Sequence, residues 1–299
     1  MTFDYTDCDL QTPSASADSL SLTNLTSFSY SLKAGQDDAK YNPPQFAFLN
    51  RSSDSGVNFA EQQQCYLQFD VPIELDPTVL LYYKHHKLLP KSSTIRQELE
   101  RQDQLKGKFS IYPCGLIANS IFNDTFSPLT LLTNPSTTYT FSEQGIAWPG
   151  EADKYAETPG YSLDDITPPP NWALQYPNGY TNSTPPPNLK TNEHFQNWMR
   201  TAGLPTFTKL WGRNDADKLQ MGRYQVIINM NFPVRSYKGR KEIVISTVSW
   251  IGGKNPFLGW AYVAAASLFV ALAILGTIRH MIKPRSVPSS SRCVLSSLK

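Results

Sequence analysis

The sequence holds only four histidines, and Asp, Glu, Lys and Arg together make up only 17% of it. Few titratable groups leave little material for proton transfer or metal chemistry. No P-loop, GxSxG, HExxH or glycine-rich dinucleotide fingerprint occurs. The Asp-Lys-Thr-Gly string of aspartyl-phosphate pumps is also missing. His85 and His86 are adjacent, so on a strand their rings point to opposite faces and share no metal. His194 lies in an amphipathic stretch and His280 among basic residues. Asp164-Asp165 is a lone acidic pair, short of the ~6 oxygens that calcium takes. No nucleophile, base and orienter can be grouped, which argues against a hydrolase. The expectation is no catalytic residue, no metal and no cofactor. A net charge of +2, with no basic run interleaved with aromatics, argues against a nucleic-acid partner. Residues 1–30 also lack the charged and apolar regions of a signal peptide.

One segment is abundant in what the rest lacks. Phe257–Ile278 carries no charge at all. As a helix at ~1.5 Å per residue it is ~33 Å long, enough to cross a ~30 Å hydrocarbon core. Lys254 is the one nearby cation before it; Arg279, Lys283, Arg285, Arg292 and Lys299 follow it. The positive-inside rule then divides the chain into an extracytosolic part at 1–256, a transmembrane helix at 257–278 and a basic cytosolic tail at 279–299. Sequons at Asn24, Asn50, Asn123 and Asn182 agree with that orientation. Within the span, Gly259, Ala261, Ala265, Ser267 and Ala271 are small enough to let a partner helix approach closely. Trp260 and Tyr262 suit the outer interface.

Four cysteines occur, with no CxxC and no zinc-like spacing to histidine. Cys293 falls in the cytosolic tail and is expected to stay reduced. Cys8, Cys65 and Cys114 face the oxidising side, an odd number that leaves one thiol over.

Low charge, 12% aromatics and 23 prolines predict a mainly β ectodomain. We expect an antiparallel β-sandwich-like fold with long ordered loops and few short helices, followed by the one transmembrane helix. Residues 11–64 read as mostly loop. Cys65–Ile73 alternates as a half-buried strand that is either an edge strand or ends at Pro72. Val79–Tyr83 is a short apolar strand, and Ser92–Arg101 one or two helical turns. Residues 146–190 hold Trp148, Tyr155, Tyr161, Trp172, Tyr176 and Tyr180, too much aromatic surface for a solvated linker. Asn192–Thr201 reads as a short helix stopped by Gly203 and Pro205. Tyr224–Val234 and Glu242–Trp250 read as strands joined by a turn at 237–240 into an antiparallel hairpin. A single-pass surface protein that binds glycans or peptides through the aromatic loop fits this reading.

Several strings in order carry a resemblance: Cys65-Tyr-Leu-Gln-Phe-Asp-Val-Pro, Val79-Leu-Leu-Tyr-Tyr-Lys, Asp103-Gln-Leu-Lys-Gly, Pro113-Cys-Gly-Leu-Ile-Ala-Asn-Ser-Ile-Phe-Asn-Asp-Thr-Phe, Phe195-Gln-Asn-Trp-Met-Arg, Pro205-Thr-Phe-Thr-Lys-Leu-Trp-Gly and Ile251-Gly-Gly-Lys-Asn-Pro-Phe. Together they resemble the cell division control protein 50 / ligand-effect modulator family, the accessory subunits of type IV P-type ATPases, with a fungal flavour. The resemblance implies a large glycosylated β-rich ectodomain between two spans, with this sequence expected to begin just after the first, near Tyr5 to Cys8, and so to lack that span. It implies a non-catalytic partner of a phospholipid-flipping ATPase that supports export from the endoplasmic reticulum. The membranes it implies are those of the endoplasmic reticulum, Golgi, endosome or plasma membrane, with the large part lumenal or extracellular. It also implies a disulfide between Cys8 and Cys65 and a glycan at Asn123. Two departures stand out. The family's longer loop before its PCG string supplies that cysteine's partner; here the loop is short and Cys114 has none visible. The string after Tyr83 is Lys84-His-His-Lys-Leu-Leu-Pro-Lys-Ser, where the family has Asn-Phe-Tyr-Gln-Asn-His-Arg-Arg-Tyr.

Overall fold

The computed structural model describes residues 1–32, 39–86, 110–247 and 256–283. The expected helix at Ser92–Arg101 lies outside them. The strands are β1 Thr2–Asp4, β2 Thr23–Asn24, β3 Phe28–Ser29, β4 Gln45–Asn50, β5 Gln63–Val71, β6 Val79–His86 and β7 Ser110–Ile111, then β8 Thr125–Phe126, β9 Leu129–Leu131, β10 Thr138–Tyr139, β11 Ile166–Thr167, β12 Phe207–Asn214, β13 Gly222–Asn229 and β14 Arg240–Ser246. The α-helices are α1 Leu116–Asn119, α2 Glu193–Met199 and α3 Pro256–Ile282.

One sheet runs β12-β6-β14-β1-β3; the other runs β10-β9-β13-β5-β4-β2, with β8 also on β13. Their pairings are antiparallel, and only the small β11–β7 pair is parallel among the described residues. The two sheets share one hydrophobic core. Phe3, Leu81, Tyr83, Ile243 and Ile245 of the first meet Leu67, Phe69, Tyr224, Val226 and Ile228 of the second. Phe3 and Phe69 lie with ring centroids 4.7 Å apart across that interface.

The period-2 pattern of β5 is real, but the strand is not half-exposed. Cys65, Leu67, Phe69 and Val71 enter the core, while Gln64, Tyr66 and Gln68 are buried on the other face. β5 is central, between β13 and β4, and its polar face is closed by side-chain pairs. Gln68 Nε2 donates to Gln225 Oε1 at 2.9 Å, and Tyr66 hydroxyl donates to Gln64 Oε1 at 3.2 Å. Pro72 falls just past the strand end, where no ladder N–H is needed. The expectation of loop over 11–64 misses β4. Phe46 and Phe48 enter the main core; Ala47 and Leu49 pack with Tyr66 in a second cluster that also receives Ile227. Two-sided burial erases alternation, which is why β4 does not read as a strand.

The expected hairpin of the last two strands is overturned. β13 pairs with β5, β8 and β9, whereas β14 pairs with β6 and β1 in the other sheet. After Asn229 the chain leaves its ladder and crosses the sandwich, with Met230, Phe232 and Val234 still in the core. The expected turn persists as a corner. Lys238 takes a left-handed φ of 54° and Gly239 N donates to Val234 O. A side chain at Gly239 would strike the Tyr237 ring at 2.4 Å.

Residues 146–190 form ordered loop with three 3-10 turns and build a second core. There Trp172 and Leu189 pack with Ala118 and Phe195. α2 is started by Asn192, whose Oδ1 accepts from Phe195 N at 2.9 Å. In its first turn Glu193 accepts the N–H groups of Gly145, Ile146 and Ala147, tying the loop to the helix. Separately from this unit, α3 forms its own, and its Gly259–Ile282 stretch has mean hydropathy 2.2. The chain is membrane-associated.

Candidate functional site

The most heavily organised polar site is one that pattern reading alone did not flag. In Phe122–Phe126 the alternation puts Phe122, Asp124 and Phe126 inward and Asn123 and Thr125 outward. In β14 it puts Lys241, Ile243 and Ile245 inward. An acid and a base thus occupy core positions on facing segments. Lys241 Nζ donates to Asp124 Oδ2 at 2.7 Å and to Phe232 O at 2.9 Å. Tyr5 hydroxyl donates to Asp124 Oδ2 at 2.9 Å. The backbone N–H groups of Asn231 and Phe232 both donate to Asp124 Oδ1 at 2.6 Å. Burial, and then the Asp124 carboxylate, push the Tyr5 hydroxyl well above its ordinary pKa, so it stays a donor. Thr6 Oγ1 accepts from Lys241 N at 2.9 Å, joining β14 to the segment after β1. The node clamps the crossing segment 230–234 to both sheets. The cleft beside it, about 190 Å3, is smaller than the ~300–1,000 Å3 of small-molecule sites.

His85 and His86 point apart, as adjacent strand residues must. His86 Nε2 lies 2.8 Å from Glu242 Oε1, and Lys84 Nζ lies 2.9 Å from Glu242 Oε2. His85 is fully buried against Tyr83, Phe122, Trp198, Phe207 and Phe232. Burial, reinforced by Lys241 and His86, pushes its pKa down to about 3 from 6.5. The folded ring stays neutral while the unfolded one takes a proton below pH 6.5. The stability that this ring contributes is therefore whole above that pH and is lost as pH falls toward 3. At pH 5 the loss is ~2 kcal/mol. Thermal unfolding at pH 7.5 and 5 should show that drop, and His85→Phe should shrink it. An equal drop in both proteins would mean that other groups carry it.

Sγ of Cys8 is bonded to Sγ of Cys65, with Cα atoms 6.0 Å apart. Cys114 is a free, exposed thiol, and Cys293 lies outside the described residues. The sequon residues Asn24, Asn50, Asn123 and Asn182 are all exposed. Helix geometry divides the five small residues of α3. At ~100° per residue Ala261 and Ala265 share one face, while Ser267 and Ala271 lie about a third of a turn away and Gly259 elsewhere. Ser267 Oγ donates to Ala264 O and Thr277 Oγ1 to Ala273 O, so both hydroxyls are satisfied within the helix. Asp164 and Asp165 sit in a 3-10 turn, and among the described residues no three His, Cys, Asp or Glu side chains converge on a metal-sized point.

A family model described as LEM3 (ligand-effect modulator 3) family / CDC50 family matches residues 1–286. The chain belongs to this family. It is 35% identical over 320 residues to the phospholipid-transporting ATPase accessory subunit CDC50 of Chaetomium thermophilum, covering 96% of this chain and 77% of the relative. It is 39% identical over 248 residues to the accessory subunit CRF1 of Saccharomyces cerevisiae, covering 77% and 62% respectively. It is 41% identical over 190 residues to cell cycle control protein 50A of Bos taurus, covering 59% and 52%. The chain thus spans less than two thirds of the yeast and bovine relatives. Asp124, the centre of the node, lies in the PCGLIANSIFNDTF string that carries the resemblance to the CDC50 family. Gly115 there takes φ 103°, a conformation that favours glycine, and the chain then enters α1. Trp198 Nε1 of α2 donates to Ile117 O at 2.9 Å, so the family string is bolted to α2 as well as to β14.

Proposed function

We propose that this chain is a non-catalytic accessory subunit of a phospholipid-translocating P-type ATPase, supporting that enzyme's folding, export from the endoplasmic reticulum and lipid flipping. The observation that carries the reading is likeness to a named accessory subunit over 96% of the chain. The partner is the type IV catalytic subunit, met partly within membrane lipid. α3 offers it two small-residue faces, Ala261/Ala265 and Ser267/Ala271, where helices can close on one another. The ectodomain is placed in the lumen or outside the cell, in the endoplasmic reticulum, Golgi, endosome or plasma membrane. A buried disulfide, four exposed sequons and the cationic tail after α3 support that side. The glycan- or peptide-binding alternative is weakened by where the loop aromatics go. Trp172 and Tyr180 are buried, and Trp148 is capped by the Arg200 guanidinium 3.4 Å from its ring centroid.

Affinity purification of the tagged full chain from its native membranes should recover a large P-type ATPase. The reconstituted pair should move fluorescent phospholipid between leaflets, and neither protein alone should match it. Recovery of the chain without any such ATPase would overturn the reading.

A further inference from the structure

The outer edge of the seven-stranded sheet ends in an organised polar hollow next to a sequon. β2 is the last strand of that sheet, and Asn24 pairs with Gln45 of β4. Gln45 Nε2 donates to Asn24 Oδ1 at 3.0 Å. Gln45 Oε1 accepts from Arg223 Nη2 at 2.9 Å, and Arg223 Nη1 donates to Asp70 Oδ1 at 2.9 Å. Asp70 Oδ2 in turn accepts from Asn42 N and Asn42 Nδ2, both at 2.7 Å. This relay fixes the walls of a hollow of about 480 Å3 lined by Asn24, Asn42, Pro43, Gln45 and Arg223.

Two features say what the hollow is shaped for. Asn24 Oδ1 is held by Gln45, and among the described residues Nδ2 makes no hydrogen bond. Nδ2 is the atom that carries an N-linked glycan, so the bond to Gln45 leaves that atom free. The buried Leu25 anchors the sequon's middle residue while Thr26 stays exposed. The hollow combines amide and guanidinium groups with the Pro43 ring, a mixture that suits hydroxyls, an acetamido group and the apolar face of a pyranose.

We propose that this hollow seats the first N-acetylglucosamine residues of a glycan on Asn24. The seated sugar covers the free edge of β2, which otherwise offers unpaired backbone groups to another chain. Attachment forms a bond from sugar C1 to Nδ2. It breaks the C1–O bond to a lipid-linked diphosphate donor, which leaves as the diphosphate while Nδ2 gives up one proton. The proposal rests on the extracytosolic placement argued above, but asks more than that placement does.

The test is native deglycosylation of the full chain, purified in detergent from glycosylating cells. Peptide N-glycosidase in 18O water marks each released site, and peptide mass spectrometry gives a rate for each. Asn24 should be released about tenfold more slowly than Asn50 and Asn182, a protection of ~1.4 kcal/mol. After denaturation the three should be released together. Gln45→Ala and, independently, Asn42→Ala should remove the protection while the protein stays folded at the assay temperature, as its unfolding midpoint checks. Sugar at the other sequons with none on Asn24 overturns the seat alone, as does release at Asn24 as fast as at Asn50. Protection that survives both substitutions also overturns it. Absence of sugar at every sequon overturns both the seat and the extracytosolic placement.

Discussion

Asp124→Asn is expected to destabilise the ectodomain by ~3–5 kcal/mol, because it leaves the buried Lys241 ammonium without its counter-charge. The expected shift in unfolding midpoint is ~10 °C for a domain of this size. The substitution keeps the carboxylate's shape and keeps the Asn123 sequon, so lost glycosylation does not confound it. It puts a carboxamide where the Asp124 carboxylate now accepts four donors: the Tyr5 hydroxyl, the Lys241 ammonium and the N–H groups of Asn231 and Phe232. Lys241→Met attacks the same pair from the other side and strands the carboxylate, so it should cost a similar amount. The double variant should lose less than the sum of the two, since each single change leaves a charge that the other removes. Tryptophan-monitored thermal unfolding of the four proteins measures this. Single variants within ~1 kcal/mol of the parent would show that the pair does not hold the sheets together.

That node shows how much of this molecule was legible beforehand. Strand alternation gave β5 and β13 because their core-facing residues repeat every second position, and β-branched residues gave β14. It failed for β4, whose Phe46, Ala47, Phe48 and Leu49 are buried on both faces. It also misled about connectivity. β13 and β14 are close in sequence and both read as strands, yet the apolar residues Met230, Phe232 and Val234 carry the chain across the core between them. A short polar turn would have supported the hairpin, whereas three buried apolar side chains in the connection argue for a crossing. The node itself had a signal: Asp124 sits between Phe122 and Phe126, and Lys241 precedes Ile243 and Ile245, each at an inward position. Opposite charges on the apolar faces of two segments are expected to meet, since an unpaired buried charge costs several kcal/mol. The small residues of α3 show the reverse. Their spacing by four is legible, but five such residues do not make one face when their helical angles are worked out.

Replacing Cys8 and Cys65 together by Ala is expected to cost ~4 kcal/mol, the chain-entropy value for closing their 57-residue separation. Against a typical total of ~5–15 kcal/mol, that loss leaves some chains unfolded at growth temperature. The bond ties the 3-10 turn at Cys8–Leu10 to the first part of β5, and both cysteines are fully buried. It therefore holds the start of the chain against the sheet that does not contain β1. The double substitution isolates this constraint. Cys8→Ala alone should do more damage, because it frees Cys65 during folding while Cys114 is an exposed thiol with which it can pair wrongly. Non-reducing gels should then show an intramolecular Cys65–Cys114 species in Cys8→Ala, and none in the double variant. Adding Cys114→Ala to Cys8→Ala should bring the protein back to the double variant's behaviour and no further. A double variant that unfolds within ~2 °C of the parent would mean that the core alone holds this corner, and that the cross-link follows the fold without stabilising it.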